Sequence, residues 1–267
     1  VGGTIEAADV RAGGSIDVCG GIVGKEKGLC MAGANIRAKH ISSANVEAGG
    51  NVAAVTEVGA SRIICGGKLE VEHGSIIAGH VTANGGVSCL HLGSPAAVAT
   101  LVEVGLDQSL RREVEALAPQ IEAKRKQAEK IRQTVAPLMQ NPKLLTPQQK
   151  EKATELLYQA DEMEAEYEQV VSQLRQSYEA SIARARAEVR VQHTVHAGVT
   201  VRFAGTEATV QTPLRGPLTL TCRDVGGQKR VVAVSQARGG MIPLDSREYV
   251  DASLSVLRRT LAAQAKQ

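Results

Sequence analysis

The sequence predicts a β-rich fold with a helical insertion: a right-handed parallel β-helix interrupted by a long antiparallel coiled-coil hairpin, with a short C-terminal helix. Three observations predict it. A doublet of small residues recurs through the first third of the chain, an apolar heptad takes over at Leu106, and strand alternation resumes after Val191.

The doublet reads Gly2-Gly3-Thr4-Ile5, Gly13-Gly14-Ser15-Ile16, Gly33-Ala34-Asn35-Ile36, Gly49-Gly50-Asn51-Val52, Gly66-Gly67-Lys68-Leu69 and Asn84-Gly85-Gly86-Val87. After a short first interval the starts lie roughly 16 to 20 residues apart, the size of one supersecondary unit stacked on itself. Aligned on the doublet, the fourth place holds Ile5, Ile16, Ile36, Val52, Leu69 and Val87, and the sixth Ala7, Val18, Ala38, Ala54, Val71 and Cys89. Val10, Cys30, Val46, Ile63 and Val81 stand three places before a doublet, with Ala12, Ala32, Ala48, Cys65 and Ala83 one place before. Apolar residues two apart on either side of a corner are inward-pointing strands, and glycine at the corner allows a left-handed backbone. The intervals are too irregular for a six-residue left-handed coil, so a right-handed one is expected. The column between the two apolar ones (Glu6, Asp17, Arg37, Ala53, Glu70, Ser88) reads as an outward face, on which Asp17 and Arg37 are placed to pair.

From Leu106 the pattern is a heptad. Leu110, Val114, Leu117, Ile121, Lys124, Ala128, Ile131, Val135 and Leu138 alternate steps of four and three, with Asp107 as N-cap and Pro119 expected to kink or break the first turns. Asn141-Pro142 ends this helix, and Thr146-Pro147-Gln148-Gln149 opens the next as a capping box. The second seam is Ala153, Leu156, Ala160, Met163, Tyr167, Val170, Leu174, Tyr178, Ile182, Ala185 and Val189. The short connection implies an antiparallel hairpin about 50 Å long. Strands are then expected at Val195–Val201, Ala208–Gln211, Leu218–Cys222 and Arg230–Val234, completing the β body. A helix starting at Asp245, with Glu248 as capping partner, carries Val250, Leu254, Leu257 and Leu261 on one face. The expected domains are the β-helix over 1–105, the hairpin over 106–190, returning strands over 191–236 and the tail over 237–267.

Composition narrows the function. The chain has one Phe, no Trp and four Tyr, all in expected helices, so platforms for sugars or single-stranded bases are nearly lacking. Charge is uneven: residues 191–267 carry ten basic and five acidic groups, while 106–190 are balanced at fourteen each. The basic excess reads as a solvated strand face or as a surface for an acidic partner. No apolar run approaches the roughly 18–20 residues of a membrane span, and no signal peptide is visible. Five cysteines without a CxxC form no disulfide framework; Cys30, Cys65 and Cys89 fall in inward columns as small hydrophobes, and a cytoplasmic location fits.

His40, His73 and His91 each stand eighth in their rows, which places His73 and His91 on neighbouring coils about 4.8 Å apart. They read as a polar ladder at a coil corner, with a zinc site on His73 and His91 as the alternative. No doublet opens a helix or carries P-loop spacing, Gly93-Ser94-Pro95 is no nucleophile elbow, and the carboxylates are scattered. No catalytic residue and no cofactor site is expected.

The order of repeat, Thr100-Leu101-Val102-Glu103-Val104-Gly105-Leu106-Asp107 junction, helical hairpin and return through His196-Ala197-Gly198-Val199 resembles the FapA (flagellar assembly protein A) family over about residues 1–235. The resemblance implies a cytoplasmic, non-enzymatic bacterial scaffold or adaptor linked to polar flagellum assembly, placed at the cell pole. It also implies protein partners: flagellar or cell-pole proteins, or the glucose-specific EIIA phosphotransferase component. A homo-oligomer is expected, with no nucleic acid and no membrane span. Two other readings stand beside it. One is a self-assembling β-helix filament or a cell-pole regulator similar to the C-terminal domain of the Min-system septum inhibitor; the other, more remote, is a carbohydrate-active β-helix enzyme.

Overall fold

A computed structural model of the chain describes residues 1–105, 107–139, 145–184, 187–203, 205–236 and 239–249. Val1–Gln108 with Ser181–Val250 forms one compact unit, and Ser109–Ala180 is the body of a second.

The first unit is a β-solenoid of about six turns. Its first coil runs through β1 (Ile5–Glu6), β2 (Val10–Ala12) and β3 (Ile16–Asp17), and its second through β4 (Ile22–Val23), β5 (Leu29–Ala32) and β6 (Ile36–Ser42). The winding continues through β7 (Asn45–Ala48), β8 (Val52–Cys65), β9 (Lys68–Val71), β10 (Ser75–Ala83), β11 (Gly86–Leu92) and β12 (Thr100–Val104). Helices α1 (Gln108–Met139) and α2 (Pro147–Arg184) follow, and β13 (Val189–Val195) and β14 (Val199–Phe203) resume the coil.

Parallel pairing stacks like on like along three faces. The first carries Ile16, Ile36, Val52, Leu69, Val87 and Val189. The second carries Ile5, Ile22, Ile41, Val58, Ile76, Leu92 and Val195. The third carries Val10, Cys30, Val46, Ile63, Val81, Val102 and Val201. All but Val10 are buried, and with Cys65, Cys89 and Phe203 they form one core. Burial pushes the Cys65 and Cys89 thiols up to about 12, which leaves them as inert packing groups.

Two expectations about the doublets are corrected. Gly2-Gly3 does not share the corner of the others: Ile5 pairs with Ile22 on the second face, and Gly20 N–H donates to Gly3 O at 3.0 Å. The short first interval marks that change of face. Nor do the doublets need a left-handed backbone. Apart from Gly86, just after Asn84-Gly85, positive φ falls elsewhere, on Ala7, Ser43, Ala60 and Ala78 among others. Close stacking is what excludes a side chain. A Cβ on Gly33 would overlap the carbonyl oxygen of Gly13, one on Gly49 that of Gly33, and one on Gly66 that of Gly49. Beside this glycine stack, Asn35 Oδ1 accepts from Asn51 N–H and Asn51 Oδ1 from Lys68 N–H, both at 2.8 Å. The Asp17–Arg37 pair is replaced as well. Arg37 reaches past Ala53 to Glu72, at 3.2 Å.

The helices are inserted at the doublet corner. Val104 stacks on Ala83 before the insertion and Val189 on Val87 after it, and Val87 N–H donates to Glu188 O at 2.9 Å. The ladders therefore continue across the break.

Not all the returning strands continue the coil. After β14 the chain turns at Gly205 (φ 98°) and runs back over the last coil. β15 (Thr206–Thr209), β16 (Leu214–Arg215) and β17 (Leu218–Val225) pair antiparallel with β14 and with the two halves of β13, one on each face. β18 (Gln228–Ser235) pairs with β17, β19 (Met241–Pro243) with β18, and β20 (Ser246–Glu248) with β15. The expected capping box at Asp245 is thus absent, because Ser246–Glu248 is a strand. Val250, Leu254, Leu257 and Leu261 lie outside the described residues.

In the second unit Pro119 sits inside an unbroken α1. Thr146 and Gln149 cap α2 reciprocally, Gln149 N–H donating to Thr146 Oγ1 at 3.3 Å and Thr146 N–H to Gln149 Oε1 at 2.9 Å. Burial recurs every seven residues at Val114, Ile121, Ala128 and Val135, and at Ala153, Ala160, Tyr167 and Leu174. Val171 is buried in place of the expected Val170, and Lys124 and Leu138 are exposed. The Asn141-Pro142 break lies outside the described residues.

Candidate functional site

The outward column of the second face runs His40, Glu57, Ser75, His91, Thr194, Arg215 by strand register. His40 lies over Gly21, where a Cβ would collide with the imidazole. His73 is not in this column, so the expected neighbourhood of His73 and His91 is not formed. His73 follows β9, its N–H donating to Val55 O at 2.8 Å, whereas His91 pairs with Ser75. The reason is a changing spacing between the first and second faces: Ile36 to Ile41 is five residues, Leu69 to Ile76 seven, and Val87 to Leu92 five. An equal count from the doublet therefore does not give an equal height on the second face.

The structure supplies His91 with different neighbours. Between Cys89 and His91 the register with β13 shifts, Cys89 facing Val191 and His91 facing Thr194. That bulge brings His193 beside His91, with ring centroids 5.2 Å apart, and His196 in the following turn stands at 6.3 Å. The backbone here is held firmly: His193 O accepts from Gly216 N–H at 2.6 Å, and His196 N–H donates to Leu92 O at 2.8 Å. Gly93 turns the chain here at φ 82°, and a Cβ on it would overlap Val199 Cγ2 and crowd His196 Cβ at 3.2 Å. Burial, and then the nearby His193 and His196, hold the His91 imidazole below its usual value, favouring the neutral ring. Among the described residues no group of three His, Cys, Asp or Glu side chains is placed to hold a metal ion. His193 and His196 were missed because their motif, His193-Thr194-Val195-His196, lies about 100 residues away from His91 in the chain. The short i, i+3 spacing was the available signal.

The third face carries a polar network that column reading also missed. Thr82, Glu103 and Arg202 are stacked by register, and Glu207 faces Arg202 across the reversal. Glu103 and Glu207 are 4% and 2% exposed, which for carboxylates requires partners. His80 Nε2 lies 3.4 Å from the Glu103 carboxylate and 3.3 Å from Thr82 Oγ1. Arg202 Nε donates to Glu207 Oε2 at 2.5 Å, Arg247 binds the other oxygen, and the Arg202 guanidinium lies 3.9 Å over the Tyr249 ring. Burial raises the Glu207 carboxyl, but hydrogen bonds from Arg202 and Arg247 outweigh it and hold the group below its ordinary value. This arrangement staples β20 and the reversing strand to the coil. His80 also borders a shallow groove of about 350 Å³ with Ser43, Asn45, Ser61 and Arg62.

Residues 1–225 match the Flagellar Assembly Protein A (FapA) beta solenoid domain. The chain belongs to the FapA family. No curated protein and no solved structure matches it. The FapA match spans the solenoid, both helices and the start of the antiparallel cover, so the helical insertion lies within the family's domain.

Proposed function

We propose that this FapA chain is a non-enzymatic scaffold in flagellum assembly, acting through protein contacts made by a rigid solenoid and a helical arm. The observation that carries the reading is the insertion of two long helices into a solenoid corner whose ladders run on undisturbed. Such a design keeps the solenoid's stacked core while adding a separate unit, as a protein with two contact surfaces requires. The arm is an antiparallel coiled coil in this proposal. Supporting it, Lys124 pairs with Glu166 at 2.5 Å, and Arg132, further along α1, pairs with the earlier Asp161 at 2.6 Å and with Glu164. Partner order thus reverses, and burial at seven-residue intervals follows the seam of each helix.

The solenoid is right-handed in the same reading, and the partners are flagellar or cell-pole proteins, or the glucose-specific EIIA component, in the cytoplasm. No helix among the described residues is long and apolar enough to cross a membrane. The filament alternative is less favoured, because β15, β16 and β17 lay an antiparallel cover on all three faces at one end.

The test is affinity capture from motile cells with the intact chain and with a chain in which a short glycine linker replaces residues 109–180. The expected result is recovery of a flagellar, cell-pole or phosphotransferase protein by the intact chain and its loss, or loss of self-association, on deletion. A monomeric intact chain that recovers none of these proteins refutes the proposal.

A further inference from the structure

We propose that His91, His193 and His196 bind one borderline divalent transition-metal cation, zinc(II) in the first instance, at the corner where β11 meets β13. Histidine is the ligand type such ions share, and three imidazoles with water in the remaining position make a complete tetrahedral set. The separations from His91 suit it. Two imidazoles on one tetrahedral zinc, with Zn–N near 2.0–2.1 Å, hold their ring centroids about 5 Å apart. His91 and His193 stand at 5.2 Å, and His196, at 6.3 Å from His91, needs to close by about 1 Å.

The rings now lie tilted or stacked with no three donor atoms converged, so binding requires rotation about side-chain torsions. His193 is exposed and His91 and His196 half-buried, so these rotations displace no core residue. The bulge between Cys89 and His91, the hydrogen bonds on His193 O and His196 N–H, and the bare Cα of Gly93 set the three Cα positions beforehand. Fixing those positions removes most of the ordering cost of a site drawn from two segments. His40 and His73 lie outside the cluster, which makes them internal controls.

The experiment uses the untagged full chain. Zinc chloride is titrated calorimetrically, and cobalt(II) is added separately to read the visible absorption of a tetrahedral site. The expected result is one ion per chain at micromolar affinity, weakened at least tenfold in His193→Ala and in His196→Gln and unchanged in His73→Ala and His40→Ala. Circular dichroism melts in chelator confirm that each variant keeps the parent fold. His193→Ala replaces an exposed side chain, so a folded variant is expected. No binding below millimolar zinc, or equal binding by the parent and His193→Ala, overturns the proposal.

Discussion

Replacing Gly49 by alanine tests the claim that the doublets are glycine because the coils approach closely. A Cβ at Gly49 would overlap the Gly33 carbonyl oxygen and sit 3.1 Å from its carbon, against about 3.5–4.0 Å for carbons in ordinary contact. Two hydrogen bonds hold the coils at this corner, Gly49 N–H to Ala32 O at 3.0 Å and Gly50 N–H to Ala34 O at 2.7 Å. Relief of the overlap stretches both, and each contributes about 1 kcal/mol net. The expected loss is therefore about 2 kcal/mol, within the range for overpacking, and about 4–8 °C in Tm for a unit of this size. Gly13→Ala is the control, because a Cβ there meets nothing within 4 Å. It should change stability by about 0.5 kcal/mol or less. The assay is paired thermal and urea unfolding followed by the β-sheet signal. Equal stability of the two variants refutes the stacking argument, since both are corner glycines without positive φ.

Three further outcomes follow from particular side chains. Glu207→Gln leaves the half-buried Arg202 and the exposed Arg247 without their carboxylate, and should cost about 2 kcal/mol in urea unfolding, the range for hydrogen bonds to a charged group. Because the folded-state value of Glu207 lies below 4.5, its stabilisation is full above that pH and is lost as pH falls through the lowered value; the Gln variant should lack this acid-side component. In native buffer a thiol reagent should label exposed Cys19 first and half-buried Cys222 slowly, with Cys30, Cys65 and Cys89 reacting only after unfolding, as mass spectrometry will show. Thr146→Ala removes the reciprocal cap of α2 and should cost about 1 kcal/mol, read from the helical signal during melting.

The apolar columns on two faces were legible in the sequence because they lie at constant distances from the doublet. Ile36, Val52, Leu69 and Val87 are three residues from the start of theirs, and Cys30, Val46, Ile63 and Val81 three residues before the next. The second face was not read as a column. Ile41, Val58, Ile76 and Leu92 drift in spacing as bulges and longer turns intervene, and a count along the chain cannot follow that drift. The same drift misplaced His73. The antiparallel cover was hidden for another reason: the first half of β17 alternates like any strand, and alternation carries no direction.

By itself the sequence determined the kind of structure. Small and branched residues at a repeat of 16 to 20 can bury themselves only against their own kind in the next coil, and a heptad beginning after Gly105 can bury itself only as helix. What belongs to the tertiary structure is where distant residues meet. Register along the second face put His91 beside His193 and His196, the reversal at Gly205 put Glu207 between Arg202 and Arg247, and stacking distance rather than backbone conformation made the corners glycine. Periodicity is a local property that one strand of text displays. Register and approach depend on bulges and hydrogen bonds between segments far apart in the chain, and those are fixed only when the coils stack.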